Sequence, residues 1–380
     1  MAELISCHGQ TEAPAFQQEQ EDLGLVLIMT LFSSVRFIRF SFLILAFFSV
    51  STYASKSSKE VNLYSYRQEF LLRPLLKAFE SAHNVKVNVV TMKKGILQRL
   101  KAEGKYSPAD LVLTADIGNL ELLSKEGLLQ KFKLKKVEKN IPKDFRDPKG
   151  YWVGLSARAR IIYYSKKRVN PKELGSYESL MSKKFKGRIC SRSGLHPYNV
   201  SLLSSLVFHH GEAFALSWAK KVRENLARKP QGNDRSQVKA ISEGLCDISL
   251  GNTYYMGKML ENPSQREWAS RTGIFFPNQK TTGSHINITG VGITKSSRNF
   301  EGARKLVEFL TGSLAQHMYG QVNHEYPLKE EVPVSGIVKS FGANQLGITN
   351  GHFKRDLKAL VKLSELRSKS IKLLNKAGFE

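Results

Sequence analysis

A chain of 380 residues with 41% hydrophobic and 24% charged residues has a globular composition and is long enough for two domains. Its 58 Lys and Arg against 33 Asp and Glu leave a formal charge of +25. No zinc-knuckle spacing, RNP-type aromatic signature or basic-region heptad accompanies that charge, and the basic residues stand in scattered pairs such as Lys93-Lys94 and Lys183-Lys184. This is the pattern of a solvated basic surface that attracts anions, not of a nucleic-acid interface.

The first recognisable element is a targeting segment. Arg36 and Arg39 precede an apolar run over residues 40–50, and Thr52-Tyr53-Ala54 follows. That order predicts a secretory signal peptide cut after Ala54. Eleven apolar residues are too few for a comfortable membrane span, although a retained anchor is the alternative. Residues 1–28, acidic, Gln-rich and without periodicity, precede Met29 and read as a misassigned start. Removing residues 1–54 takes away two arginines and five carboxylates and raises the formal charge to +28.

From residue 59 onward the chain alternates. "KEVNLYSYRQ" reads as a strand, "FLLRPLLKAFESAHN" as a helix and "VKVNVVTM" as a strand. "GILQRLKAEG", "ADLVLTAD" and "IGNLELLSKEG" continue as helix, buried strand and helix, with Gly127 at the stop. This βα rhythm predicts a parallel α/β sheet. "YWVGLSARARIIYYS" then reads as a long strand crossing between two lobes. Residues 170–288 repeat the alternation: "GRICS" strand, three helices in "NVSLLSSLVFHHG", "FALSWAKKVRENLA" and "SQVKAISEG", and "LCDISLG" strand. "NITGVGITKSS" is the return strand, and helices "FEGARKLVEFLTG" and "RDLKALVKLSELRSKSIKLLNKAG" close the chain.

Two features stand out for chemistry. Cys190 and Cys246 sit in strand-like contexts, and in an exported protein such a pair is either a disulfide or two buried thiols. "LGNTYYMGKML" places Tyr254 and Tyr255 side by side behind Asn252 and Thr253, two good helix N-caps. On a first helical turn the two rings diverge by about 100° and their hydroxyls can converge outside the helix N-terminus. The partial positive charge there favours phenolate over phenol. The structural alternative is a pair of half-buried aromatics with wetted hydroxyls.

"VNLYSYRQ", "SPADLVLTADIGNL", "GLSARARIIYYSK", "KGRICSRSGLHPYNVSL", "ARKPQGNDRSQVKAISEG", "CDISLGNTYYMGKML", "FFPNQKTTGSHINITGVGITK" and "EYPL", in that order, resemble the periplasmic ferric-iron-binding proteins, the solute-binding components of ABC-type iron(III) transporters. The resemblance spans residue 59 to the C-terminus. It implies a type II periplasmic binding fold, two α/β lobes with Fe³⁺ held in the cleft between them. It makes 59–155 the first lobe, with 289–345 returning to it, and 156–288 the second, with 346–380 returning. It further implies a monomeric periplasmic protein that hands iron to an inner-membrane permease served by a separate ATPase. The paired tyrosines match Tyr254 and Tyr255, and a third, in a loop of the same lobe, matches Tyr198. An arginine beside the metal or its accompanying anion, such as carbonate, matches Arg158, with Arg160 as the alternative.

The chemistry is consistent: Fe³⁺ is a hard cation that prefers anionic oxygen, and a phenol titrating near 10 must give up its proton to bind it. The sequence departs from the family in the loop after the first strand, where many relatives carry His-Tyr and this chain reads Arg67-Gln68-Glu69. Glu69 either supplies an oxygen or is an exposed carboxylate at a helix start. Tyr64 and Tyr66 read as strand packing and cleft wall, His209-His210 as a helix end, His196 as loop surface or, two residues from Tyr198, as a support for that tyrosine, and His285 stays unassigned. No G-x-S-x-G, H-E-x-x-H or Walker A motif points to an enzyme. The rival reading is an exported receptor for a small organic or anionic solute such as a polyamine or phosphonate.

Overall fold

The computed structural model describes residues 59–380, so the expected signal peptide and its cut after Ala54 lie outside the described residues. The chain begins with β1 (Glu60–Ser65), α1 (Glu69–His83), β2 (Lys86–Thr91), α2 (Ile96–Glu103), β3 (Leu111–Thr114) and α3 (Ile117–Lys125). The predicted alternation is present, and β1 pairs in parallel with both β2 and β3. α1 buries Leu71, Leu72, Leu75, Leu76 and Phe79 along one face and stops at Asn84 in the left-handed conformation, φ 50°.

A short helix α4 (Lys135–Asn140) leads to β4 (Val153–Ser165), the longest strand. β4 pairs with β8 (Ile286–Ile293) as far as Ala159, and from Arg160 it pairs with β6 (Ile248–Asn252). Thirteen residues, buried nearly throughout, therefore serve two halves of one sheet of order β2-β1-β3-β8-β4-β6-β5. Between these strands lie β5 (Ile189–Cys190), α5 (Pro197–Glu224), α6 (Asp234–Ser242), α7 (Thr253–Glu261), α8 (Arg266–Ser270) and β7 (Thr272–Phe275). After β8 come α9 (Phe300–Thr311), α10 (Ser313–Gln321), β9 (Tyr326–Pro327), α11 (Gly336–Lys339) and α12 (Leu363–Ala377). Among the described residues no helix is long and apolar enough to cross a membrane.

Two hydrophobic cores form. The larger holds β1–β3, α1, α9 and the first half of β4; the smaller gathers Ile162, Leu203, Leu206, Trp218, Ile248 and, from α12, Leu373 and Leu374. Three boundaries differ from the sequence reading. The two helices expected across residues 199–227 run together as α5, broken only at Gly211 with φ 82° and ψ 172°. The last helix begins at Leu363 instead of residue 355, because Asp356 is held in place. Its carboxylate accepts from Ser205 Oγ at 2.7 Å and sits 3.0 Å from His209 Nε2. α8 and β7 were not foreseen, since Gly273 and Pro277 interrupt the apolar run "GIFFPN".

A buried ionic cluster joins the second half of the sheet to its helices. Asp234, fully buried at the start of α6, accepts from Arg160 Nη1 at 3.1 Å, Arg192 Nη1 at 3.2 Å and the Asn252 backbone N–H at 3.2 Å. Arg160 also donates to Asn252 Oδ1 at 3.2 Å and Asn199 Oδ1 at 2.7 Å. Nearby, Cys190 and Cys246 form a disulfide with Cα atoms 5.8 Å apart, at the end of the sheet where β5 lies parallel to β6.

The disulfide closes a loop between cysteines separated by 56 positions. Chain entropy assigns such a bridge about 4 kcal/mol, so the Cys190→Ser/Cys246→Ser chain is expected to show a lower urea midpoint by roughly that equivalent. An unchanged midpoint would show that the bridge adds nothing. Asp234→Asn strands two guanidiniums and is expected to cost about 3–5 kcal/mol. Burial alone would raise the Asp234 carboxyl, but Arg160 and Arg192 override it and hold it below the usual range. Its stabilisation is thus present above the unfolded value, about 3.9, and is lost as pH falls through the lower folded value. Wild type should lose more stability than Asp234→Asn as the pH is lowered through the carboxylate range, read by urea titrations at stepped pH.

Candidate metal centre

β6 ends at Asn252 and α7 begins at once with Thr253, Tyr254 and Tyr255. The Asn252 side chain does not cap α7; it is turned to Arg160, and Tyr163 Oη donates to the Asn252 carbonyl at 2.6 Å. The start of the tyrosine helix is thereby fixed by three buried polar groups. Tyr198 arises from the first turn of α5 and not from a loop, as the family resemblance implied. His196 N-caps that helix, accepting from the Tyr198 N–H at 3.3 Å, and its ring packs edge-on against Tyr198 at 4.6 Å. Of the two readings of His196, the surface one gives way to the support of Tyr198, since the ring is half-buried between the helix end and the phenol.

The structure brings the three predicted phenols together. Tyr254 and Tyr255 do not splay by a helical step; their rings stack at 4.1 Å with 30° between planes. Tyr254 is 1% exposed and its hydroxyl has no hydrogen-bond partner among the described residues. Burial, then the nearby Tyr198 and Tyr255 oxygens, push the Tyr254 hydroxyl well above the usual phenol range. Burial and Tyr198 push Tyr255 up as well. Without a metal both are therefore neutral, and a cation that binds them must displace their protons. Among the described residues no cluster of three His, Cys, Asp or Glu could hold a metal, so the concentrated donors are phenolic.

Guanidiniums surround the phenols. Arg158 and Arg192 lie 5.7 and 5.5 Å from the Tyr198 ring centre, and Arg235 lies 5.5 Å from that of Tyr255. Arg158 is fully buried, donates to Thr289 Oγ1 at 2.7 Å and to the Ala115 carbonyl, and leaves its Nε–H without a partner. Arg160 also faces the Tyr198 ring, at 5.9 Å; its terminal nitrogens go to Asp234, Asn252 and Asn199, and its Nε–H, like that of Arg158, has no partner among the described residues.

Sequence reasoning missed Arg67. It is 2% exposed, pairs with the buried Glu325 and lies 5.2 Å over the Tyr254 ring. Glu325 in turn accepts from Ser156 Oγ at 2.7 Å. The available signal was position: Arg67 follows the carboxyl end of a parallel strand, where α/β sheets place ligand-binding groups. The adjacent His324, in the left-handed region at φ 55°, packs on the tyrosine helix. A Cβ added to Gly257 would meet its ring, and its Nε2 is 3.0 Å from Glu261 Oε1.

The remaining candidates lie elsewhere. Glu69 is exposed and pairs with Arg73 on its own helix. Tyr64 donates to Glu103 at 2.8 Å, and Tyr66 accepts from the Ile96 N–H at 2.7 Å, so both tie β1 to α2. His209 and His210 face Asp356 and Glu178. His285 is buried 2.9 Å from Ser201 Oγ, and burial pushes its imidazole down to about 4.

Residues 106–336 match the family described as bacterial extracellular solute-binding protein. The chain is 42% identical to Iron uptake protein A1 of Synechocystis over 85% of its own length and 88% of that relative's. Its fold is similar to that of apo ferric ion-binding protein A of Pasteurella haemolytica, with TM-score 0.80, 44% identity and coverage of 84% and 98% of the two chains. It is also similar to a Trichodesmium protein solved in complex with iron and citrate, with TM-score 0.77, 38% identity and coverage of 84% and 100%. The architecture is thus the type II periplasmic binding fold, two α/β lobes about a cleft, and the chain belongs to the bacterial extracellular solute-binding protein family.

Proposed function

We propose that this protein captures Fe³⁺ on the phenolates of Tyr198, Tyr254 and Tyr255 and delivers it to an ABC permease that works with a separate ATPase. The observation that carries the reading is the Tyr254 hydroxyl, buried and without a partner beside two further phenols in a ring of guanidiniums. A buried polar atom without a partner costs about 1–3 kcal/mol, which a metal bond would offset. Three phenolates neutralise a trivalent ion, and hard anionic oxygen suits Fe³⁺. The guanidiniums of Arg158, Arg192 and Arg235 beside the phenol rings favour an accompanying anion, carbonate or another small oxyanion, in the remaining coordination positions. The relatives named for iron uptake and ferric binding support the same choice of metal.

By this proposal residues 59–155 with about 289–345 make the first lobe and residues 156–288 with about 346–380 the second, and the larger hydrophobic core runs through both, from Val61 to Tyr254 and Leu363. In this reading the second lobe supplies all three ligands and the first closes on them with Arg67. The protein is exported through the N-terminal signal, acts as a periplasmic monomer and has no nucleic-acid partner.

Ferric citrate added to residues 55–380 is expected to develop a visible phenolate-to-iron band that saturates near one equivalent. Tyr254→Phe/Tyr255→Phe should abolish it, Tyr198→Phe should weaken retention strongly, and Glu69→Ala should leave both unchanged. A colourless wild type that binds a polyamine or phosphonate instead would reject the iron assignment. Because protons compete for each phenolate, acid favours release. Retention should fall by up to about a thousandfold per pH unit if three protons return together, and a slope near zero in an iron-competition titration would exclude tyrosinate ligation.

A further inference from the structure

The guanidiniums around the phenols are tied to polar partners, with one exception. Arg67 pairs with Glu325, Arg158 donates to Thr289 and the Ala115 carbonyl, and Arg160 and Arg192 share Asp234. Among the described residues no hydrogen bond or ion pair holds any nitrogen of the Arg235 guanidinium. What it meets is aromatic. Its central carbon lies 5.5 Å from the ring centre of Tyr255 and 5.9 Å from that of Phe70.

The start of α6 puts it there. Asn233 caps the helix, accepting from the Arg235 and Ser236 N–H groups at 3.0 and 3.2 Å, while Asp234 is locked into the ionic cluster. Consecutive helical side chains diverge by about 100°, so Arg235 leaves the helix away from that cluster. On one side it lies over Tyr255, which is 5% exposed, and on the other it lines an open hollow of about 550 Å³ together with Arg228 and Lys239. Arg235 therefore stands at the border between the buried phenol and solvent.

Phe70 reaches the same border from α1. Its neighbours Leu71 and Leu72 are 1% exposed core residues, whereas Phe70 is 51% exposed, its ring half in water beside the guanidinium. The entry to α1 is thus joined to the tyrosine pair twice: Arg67 lies over Tyr254, and Phe70 meets Tyr255 through Arg235. The first link is buried and ion-paired; the second faces water. We propose that Phe70 and Arg235 form a latch that closes the start of α1 over Tyr255 and slows the departure of the bound cation. The proposal rests on the iron reading above and extends it to two residues that are not ligands, since a protonated guanidinium and a phenyl ring offer iron no oxygen. An exposed cation–π contact shifts an equilibrium by about two- to fivefold, enough to retain cargo and small enough to be broken at each opening.

Iron-loaded protein is mixed with excess EDTA, and release is followed by stopped flow at the phenolate-to-iron band. Arg235→Met and Phe70→Leu should each speed release about two- to fivefold without moving the band. The double variant should be no faster than the faster single one, the mark of one shared contact. Phe70→Trp, which offers the guanidinium a better ring face, should slow release below wild type. Phe70 is half-exposed, so its replacement leaves the core intact. Unchanged release in both single variants overturns the latch, as do accelerations that multiply in the double variant or a displaced band in Arg235→Met. A wild type that never develops the band rejects the iron reading alone. The latch is then read on metal-free protein by small-angle X-ray scattering, where the double variant should have a larger radius of gyration than wild type and an equal radius overturns it.

Discussion

The arrangement of the tyrosines depends on one buried carboxylate. Asp234 lies at 0% exposure between Arg160 and Arg192, a placement whose desolvation cost is several kcal/mol per ion unless every partner is satisfied. Here it is satisfied, and the satisfying bonds carry position. Arg160 holds Asn252, two residues before Tyr254, and Asn199, one residue after Tyr198. The separation between two helix starts from distant parts of the chain is thereby set by a single guanidinium. Replacing the cluster with apolar groups could preserve stability, but it would leave the two tyrosine turns without a common reference.

Around this reference the protein builds a strongly positive pocket, which in the proposed function takes a trivalent cation. Guanidiniums from Arg67, Arg158, Arg192 and Arg235 sit within 6 Å of the phenol rings. A bare cation would be repelled, whereas phenolates are favoured. The field therefore works on the ligands and not on the metal: it eases the loss of phenolic protons and attracts an anion that shares the metal. In the proposed site the loop after β1 contributes charge and no ligand. Arg67-Gln68-Glu69 brings no His or Tyr, yet Arg67 reaches Tyr254 from that loop while Glu69 turns outward to Arg73.

Much of this was legible in the sequence. The βα alternation, the long β4 and the tyrosine helix follow from local periodicity and capping, which are properties of adjacent residues. The tyrosine triplet was legible only through family resemblance, because Tyr198 and Tyr254 meet through tertiary structure that no spacing encodes. The pairing of Arg67 with Glu325 was hidden for the same reason. So was the late start of α12: residues 355–362 look helical, but Asp356 is bound to Ser205 and His209 far back in the chain. The stacked tyrosine rings show the limit of arguing from an ideal helix, since the 100° step between Cβ directions does not fix where the rings lie.

Gly257 gives the pocket an unexpected boundary. Its missing side chain lets His324 lie against the tyrosine helix; the next residue, Glu325, grips Arg67, and Arg67 returns to Tyr254 on that same helix. The contacts form a closed circuit in which each member fixes the next. For anyone reshaping this pocket for another metal, a residue with no side chain at all is as much a design constraint as the three that carry oxygen.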